Sequence, residues 1–295
     1  MPESFLSLRT NSNTPTCLKD NAPLTQISQC ITSSRHDLTE EVSYKFTFCS
    51  FVQLSEENLN GGAISCIGSS IYTSTSLIVS SCSFSECGAN NGGAIYTSTL
   101  SIFDLQNSVF YKCSSTSEIY NEGGGSLLVS DIQQQLSLFG NDFISSTCTA
   151  SGGGLQLRGC SLSIYGSTII NSCRFVDCNA TINSPDGGAL CIWNNRALIG
   201  MTACVFSFCH SDDDGGAIRH DINGYEPKSY PIRFCFFNGN SVSNGGTGND
   251  ILLNVLPSDD PLLQCCSTSH SKRVGYISDT HWFTDDFNWL PYGCN

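Results

Sequence analysis

Apolar and polar residues alternate with a period of two along short stretches of this chain. Leu100-Ser101-Ile102, Leu136-Ser137-Leu138 and Leu162-Ser163-Ile164 show it. Period two sends successive side chains to opposite faces of a strand. These stretches are rich in the β-branched and aromatic residues that suit a pleated, half-buried surface. No stretch carries the 3.6-residue period of an amphipathic helix. Polar turns separate the stretches, and one unit of about 30 residues holds about three. The second unit reads 94–97, 100–103 and 109–112, and alternation starts the first strand at Tyr44, Phe46 and Phe48.

Two marks give the units a register. Glycine pairs stand at Gly61-Gly62, Gly92-Gly93, Gly123-Gly124, Gly152-Gly153, Gly187-Gly188, Gly215-Gly216 and Gly245-Gly246, spaced 31, 31, 29, 35, 28 and 30 residues. Most are followed by Ala-Ile, Ala-Leu or a similar apolar step. About ten residues before most of them stands a Phe with Cys two before or three after, as in Cys82-Ser83-Phe84-Ser85-Glu86-Cys87 and Cys173-Arg174-Phe175-Val176-Asp177-Cys178. In Phe143…Cys148 the Cys lies five residues on, which reads as a distorted repeat. A fixed period of this length marks a solenoid, propeller or array. The absence of helical periodicity excludes helical arrays, and a propeller blade needs four strands and a longer unit. Three short strands per unit predict an all-β, right-handed parallel β-helix of about seven coils. Each coil pairs with the next at ~4.8 Å, and stacking supplies the core that one coil lacks. The glycines turn the same corner in each coil because Gly reaches positive φ without steric cost.

Gly-Gly-Ala-Ile paired with Phe-x-x-Cys resembles the repeats of the chlamydial polymorphic membrane proteins and, more closely, of related β-helix proteins of parabasalid protists. The resemblance spans roughly 44–256. It implies a surface or secreted protein with an adhesion-like role, and it brings no catalytic residues to carry over.

Composition narrows the partners. Charged residues are 13% of the chain and the net charge is −13, so nucleic acid, which needs Lys/Arg against phosphate, is not an expected partner. No stretch approaches the ~18 apolar residues of a membrane span, so this segment is not expected to insert in a membrane. Residues 1–13 lack a signal-peptide core. The expectation is therefore an extracellular or cell-surface location for a fragment of a longer chain, with a cytosolic location as the alternative. The polar segment 1–43 reads as an N-terminal cap, 44–256 as the β-helix, and 257–295 as a C-terminal cap. That last segment brings Trp282, Phe283, Phe287, Trp289 and Tyr292 to the open end of the core.

The 18 Cys have two readings. Equivalent Cys in adjacent coils fall within disulfide range, which makes Cys173, Cys204 and Cys235 one set of neighbours and Cys178 and Cys209 another. The alternative is a ladder of reduced thiols used as small apolar fillers. Zinc is not expected, since Cys209-His210 and Cys265-Cys266 lack a matching second half.

The most site-like run is Asp212-Asp213-Asp214-Gly215-Gly216-Ala217-Ile218-Arg219-His220-Asp221. Paired acids beside His on a β-helix resemble pectin-degrading enzymes, in which carboxylates do acid/base work on a glycosidic bond. That makes Asp213, Asp214 and His220 the catalytic set of the alternative function, a lyase or hydrolase of the pectin-lyase-like fold. The register opposes it. Asn60, Asn91, Glu122, Ser151, Asp186, Asp214 and Asn244 all precede a glycine pair, so Asp214 reads as a polar turn residue. Gly245-Gly246-Thr247-Gly248-Asn249-Asp250 matches one calcium-binding nonapeptide, but such sites need tandem copies. Asn179-Ala180-Thr181 is an acceptor for N-glycosylation. The expected function is a non-catalytic recognition or adhesion scaffold without cofactor or metal. Its expected partner is a glycan or a host or cell-surface protein, bound on a flank or on the loops 179–186 and 221–231.

Overall fold

The computed structural model describes residues 24–28, 30–32, 34–39, 42–69, 75–117, 119, 122–160, 168–182, 186–193, 199–221, 232–243, 246, 248–254, 263–264, 266–268, 274–278 and 281–285. They form a right-handed parallel β-helix. Four strands make a coil where the sequence predicts three. In one coil these are Ile95–Ser98, Ile102–Gln106, Val109–Tyr111 and Ser114–Ser115. The fourth is too short to show a period, which is why it reads as a turn. Equivalent strands stack into four sheets, of nine strands (the first, containing Ile102–Gln106), nine (the second, Val109–Tyr111), seven (the third, Ser114–Ser115) and ten (the fourth, Ile95–Ser98). Every strand pairing is parallel except that of Val274–Ser278 with His281–Asp285, an antiparallel hairpin that ends the fourth sheet.

The sheets extend outside 44–256. Leu24–Ser28 pairs in register with Ser43–Thr47, and His36–Leu38 pairs with Ile64–Ile67. At the other end Trp282 and Phe283 lie in the closing hairpin. Phe287, Trp289 and Tyr292, named for the C-terminal cap, lie outside the described residues.

The Phe of each repeat faces the core from the second sheet. Phe51, Phe84, Phe110, Phe143, Phe175, Phe206 and Phe237 form one column, with ring centroids 4.7–5.1 Å apart and planes 2–6° from parallel. Phe46 tilts against its first ring and His36 meets both edge-on. The second core column is aliphatic, from Ile64 through Ile95, Leu127, Leu155, Leu190 and Ile218 to Ile251, all buried on the fourth sheet. Tyr44 and Phe46 are buried as alternation predicts, but Phe48 is not. Its strand ends at Thr47, and Phe48 sits in the left-handed region at φ 53° with its ring outside.

That left-handed residue recurs. Each end of the second-sheet strand is bounded by one: Ser81, Asn107, Ser172, Ala203 and Phe234 at the first corner, and Gln53, Glu86, Lys112, Ser145, Asp177 and Phe208 at the second. The next residue points inward, and here the cysteines belong. The first corner carries Cys49, Cys82, Ser108, Asn141, Cys173, Cys204 and Cys235 in file, and the second carries Cys87, Cys113, Ser146, Cys178, Cys209 and Asn240. Every described Cys is unbridged.

Cys, Ser and Asn share these positions because each is both a donor and an acceptor. The Cys173 thiol donates to Leu138 O, Cys204 to Ile170 O and Cys178 to Phe143 O, at 3.4–3.7 Å. Asn141 Nδ2 donates to Leu105 O and Asn240 Nδ2 to Phe206 O in the same way. In return the side chain accepts a backbone N–H from the preceding coil. Cys82 Sγ takes that of Cys49, Ser108 Oγ that of Cys82, and Asn141 Oδ1 that of Ser108. A backbone group buried at a corner is costly to leave unpaired, so the thiols do more than fill space. The repeat of Phe143 is therefore regular. Ser146 holds its corner, and Cys148 lies one step on, in the third sheet.

The glycine register shifts at two repeats. The left-handed glycine whose added Cβ would meet the carbonyl three residues on is Gly61, Gly92, Gly152, Gly187 or Gly215, but Gly124 in the third repeat and Gly248 in the seventh. The third pair is thus Gly124-Gly125, not Gly123-Gly124. In the seventh repeat Gly248-Asn249 replaces the predicted Gly245-Gly246. Asp250 then stands where other coils have Ala, fully buried and accepting from Asn240 Nδ2 at 2.8 Å.

Candidate functional site

The residues that precede the glycines lie one above another on a polar row. Asn91 Nδ2 donates to Asn60 Oδ1 at 3.0 Å and to Glu122 Oε2 at 3.2 Å, and the Asp186 N–H donates to Ser151 Oγ. With the third pair at Gly124-Gly125, Gly123 takes the row position expected of Glu122, bridging to Ser151, and Glu122 joins from beside it. Asp186 bridges to Asp214 in the next coil.

Here the structure supplies the neighbour that sequence spacing misses. Asp186 is a row-mate of Asp214, and Arg219 NH1 binds both, at 3.2 Å to Asp186 Oδ1 and 2.9 Å to Asp214 Oδ2. Arg219 lies within the strand Ile218–Asp221, not after one as its sequence position implies, and all three side chains are nearly buried. Carboxylate oxygens of Asp186, Asp213 and Asp214 lie within 4.8 Å of one another, a separation that suits a shared cation, and the Arg219 guanidinium already sits against two of them. Asp213 is more exposed, and burial, then the adjacent Asp214 charge, raises its pKa.

His220 is not part of this cluster. It follows Arg219 in the strand and so faces the other way. It shares the inward face of Ile218, and its in-register neighbour in the preceding coil, Ile192, is buried. Burial lowers its pKa to about 4. The sequence-predicted set of Asp213, Asp214 and His220 is thereby split: the acids are on the polar row and the imidazole is in the core. The side chain of Asp221 lies outside the described residues.

A pH dependence follows. His220 is neutral in the fold and has an ordinary pKa near 6.5 when unfolded. Above about pH 6.5 it contributes nothing to the dependence. As pH falls from about 6.5 toward 4, the unfolded chain takes up the proton first and stability drops, by about 3 kcal/mol in total. His36, whose pKa burial also lowers, adds in the same direction. Urea unfolding of the wild type and His220→Leu at pH 7.5 and 4.5 checks this. The variant is expected to lose less stability on acidification, and equal losses would contradict the buried neutral imidazole.

The outer surface carries a second group of residues. Phe208, Phe234 and Phe236 are 59%, 58% and 41% exposed. The first two occupy left-handed corners at φ 56° and 53°, and Phe236 stands on the outer face of the strand between those corners, beside Val205 of the preceding coil. Phe208 leans over Gly239, whose missing Cβ leaves room for its ring. Nearby, His210 Nδ1 is 2.9 Å from Ser241 Oγ, and its Nε2 is within 3.2 Å of Asp212 Oδ1 and Ser243 Oγ.

No family model matches this chain, and no curated protein or solved structure matches it either.

Proposed function

We propose that this chain is a non-catalytic recognition scaffold of the extracellular or cell-surface, adhesin-like kind, which binds a glycan or a cell-surface protein along its outer wall. The observation that carries the reading is the exposed phenylalanine group of Phe208, Phe234 and Phe236. A bulky residue at positive φ is conformationally disfavoured, and an exposed ring gains nothing from burial. Most equivalent corners use polar residues, Ser81, Glu86, Asn107, Lys112, Ser172 and Asp177, with Phe48 a further exposed ring at the other end of the helix. Three rings placed outward, two of them also at positive φ, are the mark of a contact surface. The polar group of His210, Asp212, Ser241 and Ser243 beside them supplies donors and acceptors for orientation. The likeness of the repeats to polymorphic membrane proteins supports the same reading. Of the alternative function's set, Asp214 is held with Asp186 by Arg219 and His220 lies apart from Asp213 and Asp214, which supports the non-catalytic reading over the lyase or hydrolase.

The test is binding to a glycan array and to cultured cells. The triple variant Phe208→Ser, Phe234→Ser, Phe236→Ser is expected to lose at least tenfold in affinity, the ~1.4 kcal/mol step, while its thermal midpoint stays or rises. Undiminished binding removes the assigned surface. Polysaccharide turnover that disappears in Asp214→Asn would instead establish the carbohydrate-active enzyme.

A further inference from the structure

We propose that Cys235 and Cys266 are a redox-sensitive staple, in which Cys266 reacts with a low-molecular-weight disulfide and Cys235 resolves the adduct into a protein disulfide that ties together two adjacent coils. The two residues hold the same corner one coil apart, since Cys235 precedes Phe236 and Cys266 precedes Ser267, and these pair in register. In-register neighbours on parallel strands lie at ~4.8 Å, inside the 4.4–6.8 Å Cα range of a disulfide. Cys266 ends the file Cys173, Cys204, Cys235, Cys266. Its thiol donates to Ile232 O at 3.4 Å, as the other corner thiols do to their preceding coils.

Exposure sets the order of events. Among the described cysteines only Cys266 is partly exposed, and all the others are buried. Of the described thiols, this is therefore the one that an exogenous disulfide reaches first. Cys235 is the thiol placed to attack the mixed disulfide. The thiol of Cys204 hydrogen-bonds to it and pulls its pKa down, a contact that stays in place once Cys266 carries the adduct and that raises the thiolate fraction that exchange requires.

The chemistry balances. Cys266 thiolate attacks one sulfur of RSSR, and one RS⁻ leaves as RSH. Cys235 thiolate then attacks Cys266 Sγ, the Sγ–SR bond breaks, and the second RSH leaves. The two protons lost by the protein are carried by the two released thiols. The protein pair is oxidised by two electrons, and RSSR is reduced by the same two.

The test uses the full chain, purified under reducing conditions and then treated with oxidised glutathione. Remaining thiols are blocked in denaturant, and peptides are mapped without reduction. A transient glutathione adduct on Cys266 is expected, followed by a single Cys235–Cys266 link, with Cys173, Cys178, Cys204 and Cys209 still free. Cys266→Ser is expected to form no link to Cys235, and Cys235→Ser to stop at the adduct on Cys266. Hydrogen exchange of 236–238 is expected to slow in the oxidised form. A lasting adduct in the wild type, a link through Cys265 or an inner pair, or no reaction overturns the proposal. The time course on the wild type decides it even if Cys235→Ser does not fold.

Discussion

Gly153→Ala is expected to prevent the native coil from forming, with a loss beyond the 4–5 kcal/mol that marks exceptional substitutions. An added Cβ there lies 2.2 Å from Gly188 O and 2.5 Å from both the carbonyl carbon and oxygen of Asn179. All three atoms are backbone of the next coil, so no side chain can rotate away. Relief requires the coils to separate, and separation breaks the interface that supplies the core. Gly140→Ala is the control. It too has positive φ, but its Cβ meets Asn107 Oδ1, a side chain on the surface. Its expected cost is the backbone strain of a left-handed alanine, about 1 kcal/mol. Soluble yield and urea midpoints of the two variants are the measurement. Similar behaviour of both would show that the glycine pair is a conformational requirement only, not a close approach of backbones.

Phe143→Ala is expected to cost about 3–5 kcal/mol, the usual range for deleting a buried aromatic ring. Phe143 is fully buried and stacked between Phe110 at 4.8 Å and Phe175 at 4.7 Å, so the cavity opens in the middle of a column and both neighbours lose a stacking partner. Phe143→Leu keeps most of the volume and is expected to cost clearly less. Because a coil contacts its two neighbours only, hydrogen exchange should accelerate most in the second-sheet strands Val109–Tyr111, Asp142–Ile144 and Arg174–Val176, and least at the far coils. A uniform acceleration along the whole molecule would contradict nearest-neighbour coupling. A cost below about 1 kcal/mol would contradict the packed column.

Both predictions rest on residues that were visible as marks in the sequence, and the reason is periodicity. The Phe of each repeat and the glycine pair recur in every coil because the stacked interface repeats there. What escaped the sequence lacks that regularity. The strand Ser114–Ser115 is two residues long and carries no alternation. In Gly123-Gly124-Gly125 any two neighbours match the mark, and only the left-handed φ of Gly124 with its close carbonyl fixes the register. Asp186 and Asp214 hold the same register position in adjacent coils, so their stacking was legible, but the Arg219 guanidinium that lies against both carries no repeat mark. The direction of His220 follows from its place in the strand Ile218–Asp221, two residues after the inward Ile218. The cysteines were read as bridges or fillers because a thiol is rarely expected to donate. Their exchange with Ser108, Asn141, Ser146 and Asn240 at the same corners was the available signal.

The phenylalanine column has a geometric consequence for anything that lies along the wall. Successive rings that stay within a few degrees of parallel from Phe51 to Phe237 mean that each coil is stacked on the last with almost no tilt. The rows of outward side chains therefore rise evenly, with a repeat of ~4.8 Å from coil to coil. A long, regular partner laid on such a face meets the same spacing after every one-coil slide. The number of coils it covers then governs how tightly it is held through multivalency, and the positions that break the row, such as Phe208 and Phe236, decide where along the wall it stops.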